Sequence, residues 1–162
     1  MGRALPLAVL SALVAGCAQP EPPLTDPERA AVADSVTSEM NAYAAAIRAL
    51  DVQRVLGYFG DPEQFRFIDN GTVYSHAELK PMVQGLFGSL RSYEGGFGSI
   101  HVNVLNHDAA VADAPYTDVF TDTTGVVTRI RGVVTWVWVR TPEGWRIVHG
   151  QAFGAPDSTA TP

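Results

Sequence analysis

The chain carries little of the chemistry that staples or charges a fold. One cysteine, Cys17, stands among 162 residues, so no internal disulfide can form and stability must come from a packed core. Lysine occurs once, at Lys80, and the formal net charge is −6; the basic stripe that a nucleic-acid partner would need is missing. Histidine is scarce as well. His101, His107 and His149 fall at no metal-ligand spacing, and neither a metal nor another cofactor is expected. There is no Gly-x-Ser-x-Gly elbow, phosphate loop or dinucleotide fingerprint. The one long apolar run, Ala4 to Ala15, is too short to span a bilayer as a mature helix.

What is present describes one packed domain: 46% apolar residues and 17% charged ones, in a length suited to a single unit. Before it, Met1-Gly2-Arg3 supplies a positive start, and the apolar run ends in Leu13-Val14-Ala15-Gly16-Cys17, small residues just ahead of the lone thiol. This resembles the lipobox of bacterial lipoproteins. The resemblance implies a signal peptide over residues 1–16, cleavage before Cys17, and acylation of its thiol and new amino group. More than one acyl chain makes such an anchor stable. The implied location is extracytoplasmic and membrane-anchored. Ala18 in place of Asp implies the periplasmic side of the outer membrane in a Gram-negative cell. Cleavage leaves ten basic against seventeen acidic side chains.

Residues 17–25 hold the lipidated Cys and a Pro-rich spacer, Ala18-Gln19-Pro20-Glu21-Pro22-Pro23-Leu24. The folded domain is expected over 26–154, and Ala155 to Pro162 reads as a disordered tail. Thr25-Asp26-Pro27-Glu28 forms a capping box for a long helix with Val32, Val36, Met40, Tyr43, Ile47 and Leu50 on one face. Asp51 caps a short second helix, Phe65 to Ile68 alternates as a strand, and Asn70-Gly71 marks a turn. Ser75 and Glu78 open a third helix, which the Gly95–Gly98 cluster closes as a hinge. Four strands follow: 100–106, 110–121, 126–140 and 145–153. Helices first and antiparallel strands after argue for an α+β domain.

The order of these elements, closed by Val134-Thr135-Trp136-Val137-Trp138-Val139-Arg140 and Trp145-Arg146-Ile147-Val148-His149 about a Gly144 turn, resembles the SnoaL-like, nuclear transport factor 2-like superfamily. The resemblance implies a cone: a curved antiparallel sheet wrapped around about three N-terminal helices, its concave face lining a core or pocket. A convex face that packs a second subunit accounts for the apolar residues on both faces of the last strands, and a homodimer through the sheet is expected. By residue alternation Trp136 and Trp138 share one face, opposite Val133, Val137 and Val139. Trp145, Ile147, His149, Gln151 and Phe153 share a face of the last strand.

One branch, the ketosteroid isomerases, is similar in Tyr43, eight residues before the capping Asp51, and in Asp69 at the end of the first strand. The similarity implies Asp69 as a carboxylate base and Tyr43 as hydrogen-bond donor to a developing oxyanion. Counting back from Pro142-Glu143-Gly144, the place of that branch's second acid holds Trp136 or, one residue away, Thr135, neither of them an acidic donor. Asp113 and Asp118 lie on opposite faces of their strand by parity. Trp136 and His149 complete the candidate pocket lining. Three functions stay open: a lipid-anchored domain binding a small, largely apolar ligand in the cone; an isomerase- or hydrolase-like enzyme using Asp69 and Tyr43; and a non-catalytic dimerisation or partner-binding module.

Overall fold

The computed structural model describes residues 22–60 and 63–157. The expected signal peptide, Cys17, the first part of the spacer and residues 158–162 lie outside the described residues. Ten elements follow in order: α1 (Asp26–Arg48), α2 (Val52–Gly57), β1 (Arg66–Asp69), β2 (Thr72–Tyr74), α3 (His76–Ser89), β3 (Leu90–Phe97), β4 (His101–Asn106), β5 (Ala109–Asp122), β6 (Val127–Thr141) and β7 (Gly144–Pro156). None of the described helices is long and apolar enough to cross a membrane.

Local chemistry explains where the helices begin. The Thr25 N–H donates to Glu28 Oε2 at 2.8 Å while the Thr25 hydroxyl accepts from the Glu28 N–H, closing the capping box of α1. Asp51 Oδ1 accepts from the Arg54 N–H at 3.0 Å at the start of α2, and Ser75 with Glu78 repeats the box at α3. Between β1 and β2, Asn70 and Gly71 both have positive φ, 47° and 87°, as a tight two-residue hairpin turn requires. Asn70 also ties this hairpin to β7: its N–H donates to the Ala152 carbonyl and its Oδ1 accepts from the Gly154 N–H, each at 3.1 Å.

The seven strands form one curved, open sheet in the order β2-β1-β7-β6-β5-β3, with β4 also paired to β5. The domain is α+β as the pattern implies, with two differences. The sheet is mixed, because β1 runs parallel to β7. And Gly95-Gly96 is not a hinge: both residues lie in β3, paired with Asp118 and Thr117 of β5. Gly95 sits at φ +142°, where a side chain would be strained, and a Cβ there would strike the Thr117 carbonyl. Glycine therefore permits this strand, although its sequence reads as a break. The expected tail also shortens: β7 continues to Pro156, opposite Ile130, and Asp157 pairs with Arg131 at 2.8 Å.

A second correction concerns the face of β7. Trp138 pairs with Ile147 but Val137 pairs with His149, so Val148 is an extra residue, a β-bulge. The bulge shifts the phase by one. Trp145 and Ile147 point into the core, whereas His149, Gln151 and Phe153 beyond it point out, and Gly150 and Ala152 take the inner face. On the outer face Pro115, Val133 and Phe153 align across three strands, with Val133 and Phe153 54% and 64% exposed. The core lies between α1, α3 and the concave face, with Val36, Met40, Ala46, Phe65, Trp138 and Ile147 fully enclosed.

Candidate functional site: an acidic, aromatic cavity

Along the concave face of β5 every second residue turns inward. The first three are Ala110, Ala112 and Ala114, all fully buried, and α1 crosses β3, β4 and β5 close to the sheet. Further along, the inward positions become Tyr116, Asp118 and Phe120, too large for the helix to lie against. The gap left there is a cavity of about 190 Å³, walled by the end of α1, by Met82 and Leu86 of α3, and by β1, β3, β5 and β6. Phe59, Phe67, Phe87, Phe97 and Trp136 give it an apolar, aromatic wall. Its ionisable groups are Tyr43, Asp69, Tyr93, Tyr116 and Asp118; among the described residues no lysine, arginine or histidine lines it.

Tyr43 and Asp69, on separate elements, reach this same cavity. Tyr43 is 7% exposed, held edge-on by Tyr58, Phe59 and Trp136 at centroid distances of 5.4, 6.0 and 5.8 Å. Its hydroxyl has no hydrogen-bond partner among the described residues. Asp69 faces inward opposite Ala152 and accepts from Asn70 Nδ2 at 3.1 Å, so the hairpin turn that ends β1 also orients the carboxylate. Trp136 lines the cavity too, stacked on Phe67 at 5.5 Å and lying over Gly150, where a Cβ would strike its ring. Its indole N–H finds no acceptor among the described residues. His149 is elsewhere: the bulge at Val148 turns it to the exposed face beside Val137 and Arg66, and it is no part of the lining.

Asp118 is the cavity acid that sequence reasoning did not select. Strand parity separates it from Asp113, which pairs on the outer face with His101 at 3.4 Å, but parity alone does not say which of the two is inside. The alternate alanines ahead of it share its face, and it is the packing of α1 that makes this the covered one. Gly95 makes room for the acid: a Cβ there would lie 2.8 Å from Asp118 Oδ1. Tyr93, on the unforeseen strand β3, sets its hydroxyl beside the same carboxylate.

Burial governs the electrostatics. It pushes the carboxyl of Asp69 above the usual range, and that of Asp118 likewise, the Tyr93 hydroxyl partly offsetting the second. Tyr43 and Tyr93 are pushed up by burial first and by the Asp118 charge second. Tyr116 rises to about 12 through burial, then the charges of Asp118 and Asp69, so it senses both acids. The phenols stay protonated at neutral pH and can donate. A carboxyl with a raised pKa sits nearer neutrality and can take or give a proton. Among the described residues no group of three or more His, Cys, Asp and Glu side chains could hold a metal ion.

A fold that raises a carboxyl's pKa binds more protons than the unfolded chain. Its stabilising contribution is complete below the unfolded value of about 3.9 and is lost as pH rises through the folded one. Asp118→Asn removes this loss. The melting temperature of the variant relative to the parent chain should therefore rise from pH 4 to pH 7, read by parallel thermal melts; a difference independent of pH would contradict the burial of this acid.

Comparison with other proteins places this architecture. No curated protein matches the chain. Among solved structures, a nuclear transport factor 2-like superfamily protein from Salmonella enterica superposes with a TM-score of 0.70 at 21% identity, over 82% of this chain and 96% of that one. A hexachlorocyclohexane dehydrochlorinase, LinA type 3, from Novosphingobium barchaimii gives 0.67 at 11% identity, over 85% and 99%. A conserved protein from Planctomyces limnophilus gives 0.68 at 16%, over 80% and 100%. At such identities the likeness shows the fold alone. The SnoaL-like domain family matches residues 36–153, the span that builds helices, sheet and cavity together, and the chain belongs to that family.

Proposed function

We propose that the cone cavity binds a small, largely apolar molecule and that Asp69 moves a proton on it, with Tyr43 donating a hydrogen bond to the charge that develops. The observation that carries this reading is the meeting of Tyr43, Asp69 and Asp118 in one aromatic cavity. A phenol and two partly buried acids opening on one aromatic cavity are the makeup of a small-molecule site, a few polar groups set in an apolar wall. General acid–base groups of this kind serve isomerisation and elimination, and the dehydrochlorinase of the same fold is named for an elimination. A panel of small aromatic and alicyclic compounds should raise the melting temperature. A bound ketone should exchange its α-protons in heavy water by NMR, at least about 100-fold more slowly in Asp69→Asn. An unchanged exchange rate would remove Asp69 from the reaction.

Two further parts of the proposal concern location and assembly. The lipid anchor is supported by Leu13-Val14-Ala15-Gly16-Cys17 alone. Cys17→Ala should move the expressed chain from the detergent to the aqueous phase on partition, and retention in detergent would refute acylation at that thiol. The exposed row of Pro115, Val133 and Phe153 supports a homodimer through the outer face of the sheet. Phe153→Asp should leave a monomer in sedimentation, and a parent chain that is itself monomeric at micromolar concentration would overturn the dimer.

A further inference from the structure

The sign of charge in the cavity says something about the occupant that neither the fold nor the reaction class does. Its ionisable lining consists of two carboxylates and three phenols, and the rest is hydrocarbon and aromatic ring. Neither Asp69 nor Asp118 is in an ion pair with any described lysine, arginine or histidine. The Arg48 guanidinium, which is not itself part of the lining, is engaged by the backbone, donating from Nη1 to the carbonyl of the lining residue Gly95 at 2.9 Å. The place for Asp118 is built, not incidental: Gly95 leaves space at its Oδ1, and Tyr93 and Tyr116 flank it.

We infer that the occupant of the cavity is an apolar amine, protonated at neutral pH, whose ammonium group seats against Asp118 among the rings of Tyr43, Tyr93 and Tyr116. This rests on the small-molecule reading above and names its substrate class. An anionic ligand would meet two acids and no cation. A neutral ligand would bring no opposite charge to either carboxylate, leaving Asp69 with the Asn70 amide and Asp118 with the Tyr93 hydroxyl alone. An ammonium group is favoured by the carboxylate and, independently, by the negative faces of the aromatic rings, and both attractions strengthen where water is excluded. Its N–H groups also find acceptors in the carboxylate and in the phenol oxygens, including that of Tyr43, which has no partner of its own. Asp69, at the end of β1, is then left free to move a proton elsewhere on the same molecule.

The test is a matched pair of probes of equal length, 4-phenylbutylammonium and 4-phenylbutan-1-ol, titrated calorimetrically into the full chain. The amine is expected to bind about tenfold or more tightly than the alcohol, and Asp118→Asn to abolish that preference. Asp113→Asn, which removes an acid from the outer face of the same strand, should keep it. If the alcohol binds as well as the amine, the charge inference is overturned and the small-molecule reading stands. If neither binds, both fall together. A preference that survives in Asp118→Asn would overturn the assignment to Asp118. Should that variant not fold, a preference for the amine that persists undiminished at 1 M salt as well as at low salt supports a desolvated ion pair, and one lost at high salt overturns it.

Discussion

How closely α1 can approach β5 is the constraint on which the rest of this molecule depends. A helix comes closest to a strand where the inward side chains are small, and β5 offers three alanines in succession, Ala110, Ala112 and Ala114, before changing to Tyr116, Asp118 and Phe120. Over the alanines the two layers close on each other, with Val32, Val36 and Met40 of the helix in the core. Past them the layers must part. The cavity is the consequence of one strand changing the size of its inward residues, and its position near the C-terminal end of α1 follows directly.

The sheet contributes a second device, the bulge at Val148. It lets β7 place Trp145 and Ile147 in the core at one end and Gly150 and Ala152 inward at the other. Gly150 gives the Trp136 ring a flat bed, and Trp136 in turn stacks on Phe67 and meets Tyr43 edge-on. Without the change of phase, His149, Gln151 and Phe153 would fill the cavity wall and the outer face would lose its apolar row. One inserted residue thus puts Gly150 and Ala152 on the cavity side and the exposed Phe153 on the other.

Electrostatically the site runs against the stability of its own fold. Asp69 and Asp118 are partly buried with no cationic partner among the described residues, and burial raises both carboxyls. The charged surface elsewhere follows the opposite rule: Glu28, Glu78 and Asp122 accept local hydrogen bonds that lower their pKa values and secure caps and turns. Carboxylates that serve structure are satisfied from within the chain. The two in the cavity have a single neutral partner each, Asn70 for Asp69 and Tyr93 for Asp118, and a net upward shift, which is the pattern expected where a protein gives up stability for function.

Much of this was legible from residues near one another in sequence. Thr25 with Glu28, Asp51, Ser75 with Glu78 and Asn70-Gly71 each carry their own hydrogen-bonding geometry, so three helix starts and a hairpin follow from local chemistry. The strand spans of β4 to β7 follow from apolar runs and turn residues, and Tyr43, Asp69 and Trp136, singled out in the sequence, are among the residues that line the cavity. Local pattern could not supply β3, because Gly95 and Gly96 are tolerated in a strand only through their pairing with β5. Nor could it give the inward phase of β5 and β7, on which the selection of Asp118 and the exclusion of His149 turn. Alternation defines two faces of a strand but does not say which one is covered. That choice is made when distant elements pack, where α1 meets three alanines and a single bulge at Val148 exchanges inside for outside.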